Sequence, residues 1–171
     1  MGMEVKGKNP TTKTGEYFRN TAWWWRPLAE YVCVVAPEIA AGCECWQSND
    51  GDGLDENGAR VLAGRLREGI ASGRTATYAM DRQTKLDALP REKCEWCKGT
   101  GVRRDWLGTE MAMPEKVITD EGHPRYGERG WCNGCDGVGS KESMECSYKF
   151  SVENVQKFAE FLEASGGFEI W

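Results

Sequence analysis

The amino-acid sequence predicts an α+β fold with a mainly helical body, an inserted hairpin of two cysteine-containing turns and a short C-terminal strand. Apolar residues recur at three- and four-residue steps in three stretches, as they do along one face of a helix. Two Cys-x-x-Cys turns, each followed by glycines, lie in the second half of the 171-residue chain. A short apolar segment, 168–171, follows a Gly-Gly pair at the end.

Residues 1–14 are polar and predict a mobile tail, and residues 15–90 predict a helical region. The first apolar stripe of this region consists of Tyr17, Phe18, Thr21, Trp24, Trp25, Leu28, Val32 and Val35. Pro27 interrupts the stripe. Because proline disfavours α geometry at the preceding residue, we expect a kink or a new helix start there.

A second helix is predicted to begin at Asp55, which is a good N-cap residue. Its apolar stripe is Ala59, Leu62, Ala63, Leu66 and Ile70, and Gly73 is the expected stop. The acidic run 49–53 just before it resembles a calcium loop. However, the alignment places Ala59 where an EF-hand needs a bidentate Glu. A weaker helical pattern then continues to Pro90.

Residues 148–171 predict a C-terminal helix and strand that pack on the helical region. Ser151 is the expected N-cap, and Gly166 and Gly167 end the helix. The buried face is predicted to be Val152, Val155, Phe158, Ala159 and Leu162. The final segment 168–171 is interpreted as part of the core, with a partner-binding tag as the alternative.

The two cysteine turns share the eight-residue pattern C-x-x-C-x-G-x-G, and residues 91–147 contain both. Four thiolates complete a tetrahedral zinc site and leave no open coordination position, which is typical of structural zinc. Glycines after the second cysteine allow the positive φ that a metal-binding turn needs. The sequence therefore predicts a two-knuckle zinc hairpin with one structural Zn²⁺, bound by Cys94, Cys97, Cys132 and Cys135.

Other interpretations of the cysteines are weaker. Trp131 and Cys132 begin a segment similar to a thioredoxin active site, but a turn-forming sequence follows where that motif needs a helix. A disulfide framework fits secreted chains, and no apolar leader is visible, so a cytoplasmic location is expected. The remaining cysteines are interpreted as free thiols and not as a second metal site: Cys33, Cys43, Cys45 and Cys146.

The repeats resemble the cysteine-rich zinc-finger motif of DnaJ (Hsp40) chaperones, in which pairs of repeats share a zinc ion. DnaJ proteins carry four repeats and two zinc ions, whereas this chain has two repeats. Its only histidine gives His123-Pro124-Arg125 and not the His-Pro-Asp of a J domain, so the resemblance implies no co-chaperone role. Segments 17–28 and 150–155 resemble small phage-encoded proteins, which implies a host cytoplasm and a host protein, such as a defence factor, as partner.

Several classes of function are disfavoured by composition. A single histidine leaves no Ser-His-Asp or Cys-His arrangement, and no phosphate-binding glycine loop is present, so we predict a non-enzymatic protein. No apolar run approaches the length of a membrane span. The chain carries a net charge of −5, whereas zinc modules that bind nucleic acids are normally basic.

Two hypotheses remain, and the first is a binding or regulatory module that acts through protein–protein contacts. Aromatic and arginine side chains are the usual anchors of such interfaces. The alternative is nucleic-acid or nucleotide binding, with tryptophans stacking on bases and arginines contacting phosphate. The candidate residues are Trp23, Trp96, Arg103, Arg104, Trp106 and Trp131. The tryptophans near the cysteines could instead pack locally over the metal site, and Trp23 could be covered by another element.

Overall fold

The computed structural model describes residues 2–171 and divides into two compact units. The first unit runs through Asp87 and resumes with Ser147–Trp171, and the second unit is Ala88–Cys146. The chain order is β1 (Gly2–Gly7), α1 (Lys13–Glu16), β2 (Tyr17–Thr21), α2 (Ala22–Val35), α3 (Pro37–Ala40), β3 (Asp52–Leu54), α4 (Glu56–Ala71), α5 (Arg74–Asp87), β4 (Glu92–Lys93), α6 (Trp106–Glu110), β5 (Ser140–Lys141), α7 (Val152–Ala164) and β6 (Phe168–Ile170). The predicted α+β, mainly helical class is confirmed.

The first unit combines helices with one antiparallel sheet of strand order β2-β1-β6-β3. Helices α4 and α7 bury most of the apolar faces that their three- and four-residue spacing predicts, and Ile70 and Val152 are only partly buried. Phe158 of α7 is fully buried, with its ring 5.1 Å from that of Phe18 and 5.6 Å from that of Trp25. One continuous core therefore joins the sheet to the helices of this unit.

The N-terminal segment is a strand where the sequence predicted part of a mobile tail. Residues of β1 pair with β2 on one side and with β6 on the other. Met3 and Val5 are buried, which follows from the alternation of side chains between the two faces of a strand. Two flanking strands and these buried side chains fix the segment in place.

Residues 17–21 form β2 and not the start of a helix, so the first predicted stripe is wrong at its N-terminal end. The alternating burial of this strand places Phe18 and Asn20 inward and exposes their neighbours. The spacing of Tyr17, Phe18 and Thr21 fits either structure, and the pairing with β1 decides it.

Helix α2 continues through Pro27, so of the two predicted alternatives, a kink or a new helix start, the new start is wrong. Proline has no backbone N–H, so the carbonyl of Trp23, four residues earlier, loses its usual helical donor. The backbone N–H of Lys149 donates to this carbonyl at 2.9 Å. A segment distant in sequence therefore satisfies the carbonyl that the proline would leave unpaired.

The C-terminal helix begins as predicted, because the Ser151 hydroxyl accepts a hydrogen bond of 3.2 Å from the Asn154 backbone N–H. Residues 168–170 form β6, which lies between β1 and β3, so this part of the terminal segment belongs to the core. Trp171 remains half exposed.

We expect Ser151→Ala to lower the free energy of unfolding by about 1 kcal/mol, since an N-cap side chain typically contributes that much. Thr21→Ala is the matched control, because Thr21 is the N-cap of α2 but its side chain makes no capping hydrogen bond. Urea denaturation followed by circular dichroism measures both. Equal losses for the two variants would contradict the assigned cap.

The second unit contains little regular structure. Strands β4 and β5 pair antiparallel over two residues each, and the segment between the two repeats contains α6, a 3-10 turn at Met113–Glu115 and an isolated bridge between Val117 and Arg129. The sequence left open whether this segment is a loop or short strands, and it is mostly loop. A second 3-10 turn, Met144–Ser147, follows β5.

None of the helices found within residues 2–171 combines the length and the apolar character needed to cross a lipid bilayer.

Candidate metal centre

Four thiols, those of Cys94, Cys97, Cys132 and Cys135, converge in the second unit, with all sulfur atoms within 4.8 Å of one another. The Sγ atoms of Cys94 and Cys132 are 3.9 Å apart, and those of Cys97 and Cys135 are 3.7 Å apart. A tetrahedron with metal–sulfur bonds of about 2.3 Å has sulfur–sulfur edges of about 3.8 Å. A disulfide would need about 2.0 Å. The spacing therefore fits one tetrahedral metal ion and excludes disulfides in this state.

All four cysteines are buried, with exposed fractions between 0% and 9%. Together they form the buried cluster of this unit. Thiolate ligands in a tetrahedral set suit zinc, and iron–sulfur chemistry uses the same donors. The arrangement can hold a metal ion, and it offers a solvent-protected cage with protein ligands at all four corners.

The two turns have positive φ angles at equivalent positions. Lys98 and Asp136, directly after the second cysteine of each repeat, adopt φ values of 53° and 49°. The glycines that follow also have positive φ, as the pattern predicts. This conformation directs the backbone N–H of Gly101 to the Cys97 sulfur at 3.3 Å and that of Gly139 to the Cys135 sulfur at 3.1 Å. Each repeat therefore supplies a donor that offsets thiolate charge.

The last glycine of each repeat lies against the other repeat. A methyl group on Gly101 would overlap the carbonyl oxygen of Gly137, and one on Gly139 would overlap the carbonyl oxygen of Gly99. The backbone N–H of Cys94 also donates to the Gly139 carbonyl at 2.9 Å. The last glycine of each repeat is thus needed for the packing of the two turns as well as for their backbone conformation.

The electrostatics differ among the thiols. Burial opposes ionisation of Cys94, but donation from the backbone amides of Cys97 and Trp96 outweighs it and lowers the pKa of this thiol to about 7. Burial raises the pKa of Cys132, and it raises that of Cys135 to about 12. Metal binding to the free form must therefore displace protons, as expected for thiolate ligands.

The predicted partner-binding residues lie in different environments. Trp106 is 77% exposed, Trp96 is 50% exposed and Arg104 is exposed, whereas Trp131 is half buried beneath Lys116 and beside His123. Arg103 is buried. In the first unit Trp23 is 41% exposed and packs on the ring of Tyr148 at 5.0 Å.

Sequence reasoning missed several residues that support the centre. Arg125 donates from Nη1 to the Gly137 carbonyl at 3.0 Å, and His123 Nε2 lies 2.6 Å from the Asp136 carbonyl. The Arg125 backbone N–H donates to His123 Nδ1, so the Nε2–H is the donor to Asp136. The only feature of the sequence that indicated this supporting role was the position of His123 between the two repeats.

The remaining cysteines do not join a metal-binding group within the described residues 2–171. Cys33 is exposed, Cys43 is buried, and Cys45 and Cys146 are partly exposed. The Cys43 thiol is beside Asp52, and burial together with this carboxylate raises its pKa to about 12.

Comparison with known proteins gives no relative: no protein-family model, no curated protein and no solved structure matches this chain significantly.

Proposed function

We propose that this chain is a non-enzymatic binding or regulatory protein whose second unit is held together by one structural zinc ion. Four buried sulfurs at tetrahedral spacing support the metal site. Zinc is the proposed ion because a closed set of four cysteine ligands is typical of structural zinc. The same closed set offers no open position for a substrate, so the metal is assigned to stability and not to catalysis.

The exposure of Trp106 carries the proposal of a protein partner. This large apolar side chain is 77% exposed at the first position of α6. The preceding Asp105 caps the helix by accepting a hydrogen bond of 2.8 Å from the Gly108 backbone N–H. Asp105 also binds Arg103. Trp106 is thus presented on an anchored turn, and tryptophan is a frequent hot-spot residue in protein interfaces.

The class of partner follows from charge and from the flanking segments. Residues 88–146 have nine Lys and Arg against eleven Asp and Glu, which favours a protein partner over a nucleic-acid backbone. Arg103 is paired with Asp105 and is thus less suited to phosphate contact. The resemblance of segments 17–28 and 150–155 to phage-encoded proteins supports a host protein, such as a defence factor, in the host cytoplasm.

We expect Trp106→Ala to weaken partner binding by at least about 30-fold, the equivalent of a hot-spot loss of about 2 kcal/mol. The measurement is capture of host proteins on the immobilised zinc-loaded chain, followed by titration of the recovered partner. Tyr126→Ala is the matched control, since Tyr126 is an exposed aromatic residue of the same unit outside α6. Undiminished binding by Trp106→Ala would contradict the assigned surface. Recovery of nucleic acid with a steep salt dependence, and of no protein, would favour the alternative function.

A further inference from the structure

Arg103 is a buried charged residue next to the metal centre, and its side chain is only 8% exposed. Its guanidinium binds both carboxylate oxygens of Asp105, with Nε–Oδ1 at 2.8 Å and Nη2–Oδ2 at 2.9 Å. Nη1 donates to the Asn133 side-chain oxygen at 3.0 Å. The guanidinium carbon also lies 4.4 Å from the centre of the Trp96 ring. This arginine therefore has polar partners along its edge and an aromatic ring on its face.

These contacts connect the two cysteine turns. Trp96 lies between Cys94 and Cys97, whereas Asn133 lies between Cys132 and Cys135. The Trp96 ring also packs directly on Gly134 of the second turn, where a methyl group would overlap it. One guanidinium and one indole ring thus hold together the tips of both turns.

The positive charge of Arg103 lies close to the negatively charged metal centre and can offset part of that charge. Four thiolates and a divalent ion carry a net charge of about −2, and buried charge must be compensated. Asp105 is the strongest influence that raises the pKa of the Arg103 guanidinium, and the thiolates of Cys132 and Cys94 raise it further. Because Asp105 is about half exposed, water screens its charge more than it screens the buried arginine.

We propose that Arg103 is a positioning residue of the metal centre that holds the two turns together and offsets the charge of the bound thiolates. This inference rests on the proposed zinc site. Its consequence is a centre that releases metal slowly and reacts slowly with electrophiles, because nucleophilic attack requires an accessible, electron-rich thiolate. Groups that orient and hydrogen-bond around metal ligands typically change metal affinity by about 10- to 100-fold.

The test compares zinc-loaded full-length wild type with Arg103→Met and Arg103→Lys. Each protein is treated with N-ethylmaleimide, and the released zinc is followed with a coloured chelator. We expect Arg103→Met to release zinc about 10- to 100-fold faster than wild type. Arg103→Lys should fall between them, since lysine keeps the charge but lacks the planar donor set that binds Asp105 and Asn133 together. Arg104→Met is the matched control, because Arg104 is the adjacent, exposed arginine.

The outcomes separate this inference from the zinc proposal. A wild-type chain that binds no zinc in reducing buffer overturns both. A chain with one zinc ion whose release is unchanged in Arg103→Met overturns the role of Arg103 alone, and equal release by the Lys and Met variants overturns its charge contribution. If Arg103→Met does not fold, Asn133→Ala replaces it, since it removes only the link to the second turn. An unchanged release rate in Asn133→Ala would then overturn the linking role.

Discussion

Complete removal of the metal is expected to unfold residues 88–146 while the first unit stays folded. The four cysteines form the buried cluster of the second unit, and beside them few apolar side chains of this unit are buried, those of Val102, Met113 and Ile118. Its strands have two residues each and α6 has five, which is too little regular structure to be stable alone. Structural zinc contributes about 10–16 kcal/mol of folding free energy in small zinc modules.

The first unit has no such dependence. Its core is made of aromatic and aliphatic side chains from α2, α4, α7 and the sheet, and none of these residues lies within 88–146. The long helices of the chain also belong to this unit. Most of the helical circular dichroism should therefore survive removal of the metal.

Hydrogen exchange read by mass spectrometry, with and without a chelator in reducing buffer, measures the effect directly. The amides of Gly101 and Gly139, which donate to cysteine sulfurs, should lose their protection, and those of α4 should keep it. Cys94→Ser should reproduce the loss without a chelator. Cys33→Ser is the control, because Cys33 is exposed and outside the cluster. Unchanged exchange across 88–146 after verified metal removal would show that this unit does not need the ion.

The parts of the fold that the sequence predicted correctly depend on local signals. The α4 helix follows from its stripe and its Asp55 cap, and α7 follows from its stripe and the Ser151 cap. The convergence of the four cysteines follows from the two Cys-x-x-Cys turns, a spacing that is typical of structural zinc sites. Strand β1 was missed because its partner β6 is at the opposite end of the chain, with Val5 beside Ile170. Within the segment itself, the only indication of a strand was the apolar residues at alternate positions, Met3 and Val5.

Arg103 shows why the surroundings of the site were harder to predict than its ligands. Like its neighbour Arg104, it was predicted to be a partner-binding residue, yet Arg103 is buried and only Arg104 is exposed. Burial of Arg103 depends on Asn133, thirty positions away, and on the Trp96 ring. Such burial is favourable only when all these partners assemble. The sequence contains no local pattern for that assembly.

The glycines of the repeats also determine the conformation and packing of the two cysteine turns. We expect Gly101→Ala to lower the free energy of unfolding of the second unit by about 3 kcal/mol. Gly101 has φ +75°, where an L side chain costs about 1–2 kcal/mol. The added methyl group would also overlap the Gly137 carbonyl oxygen, and such overpacking typically costs about 1–3 kcal/mol. Because the two turns share the metal, we expect zinc affinity to fall by more than about 100-fold, since each 1.4 kcal/mol is a factor of ten.

Gly127→Ala separates the cost of the positive φ angle from the cost of the steric overlap with the other turn. Gly127 has nearly the same backbone angle, φ +79°, but a methyl group there would meet no atom within 4 Å. It should therefore show only the conformational cost of about 1–2 kcal/mol, and a smaller loss of zinc affinity of about 5- to 30-fold. Competition with a chelator of known affinity measures both variants. Equal losses would mean that the close approach of the two turns contributes nothing, and that the repeated glycine serves the backbone angle alone.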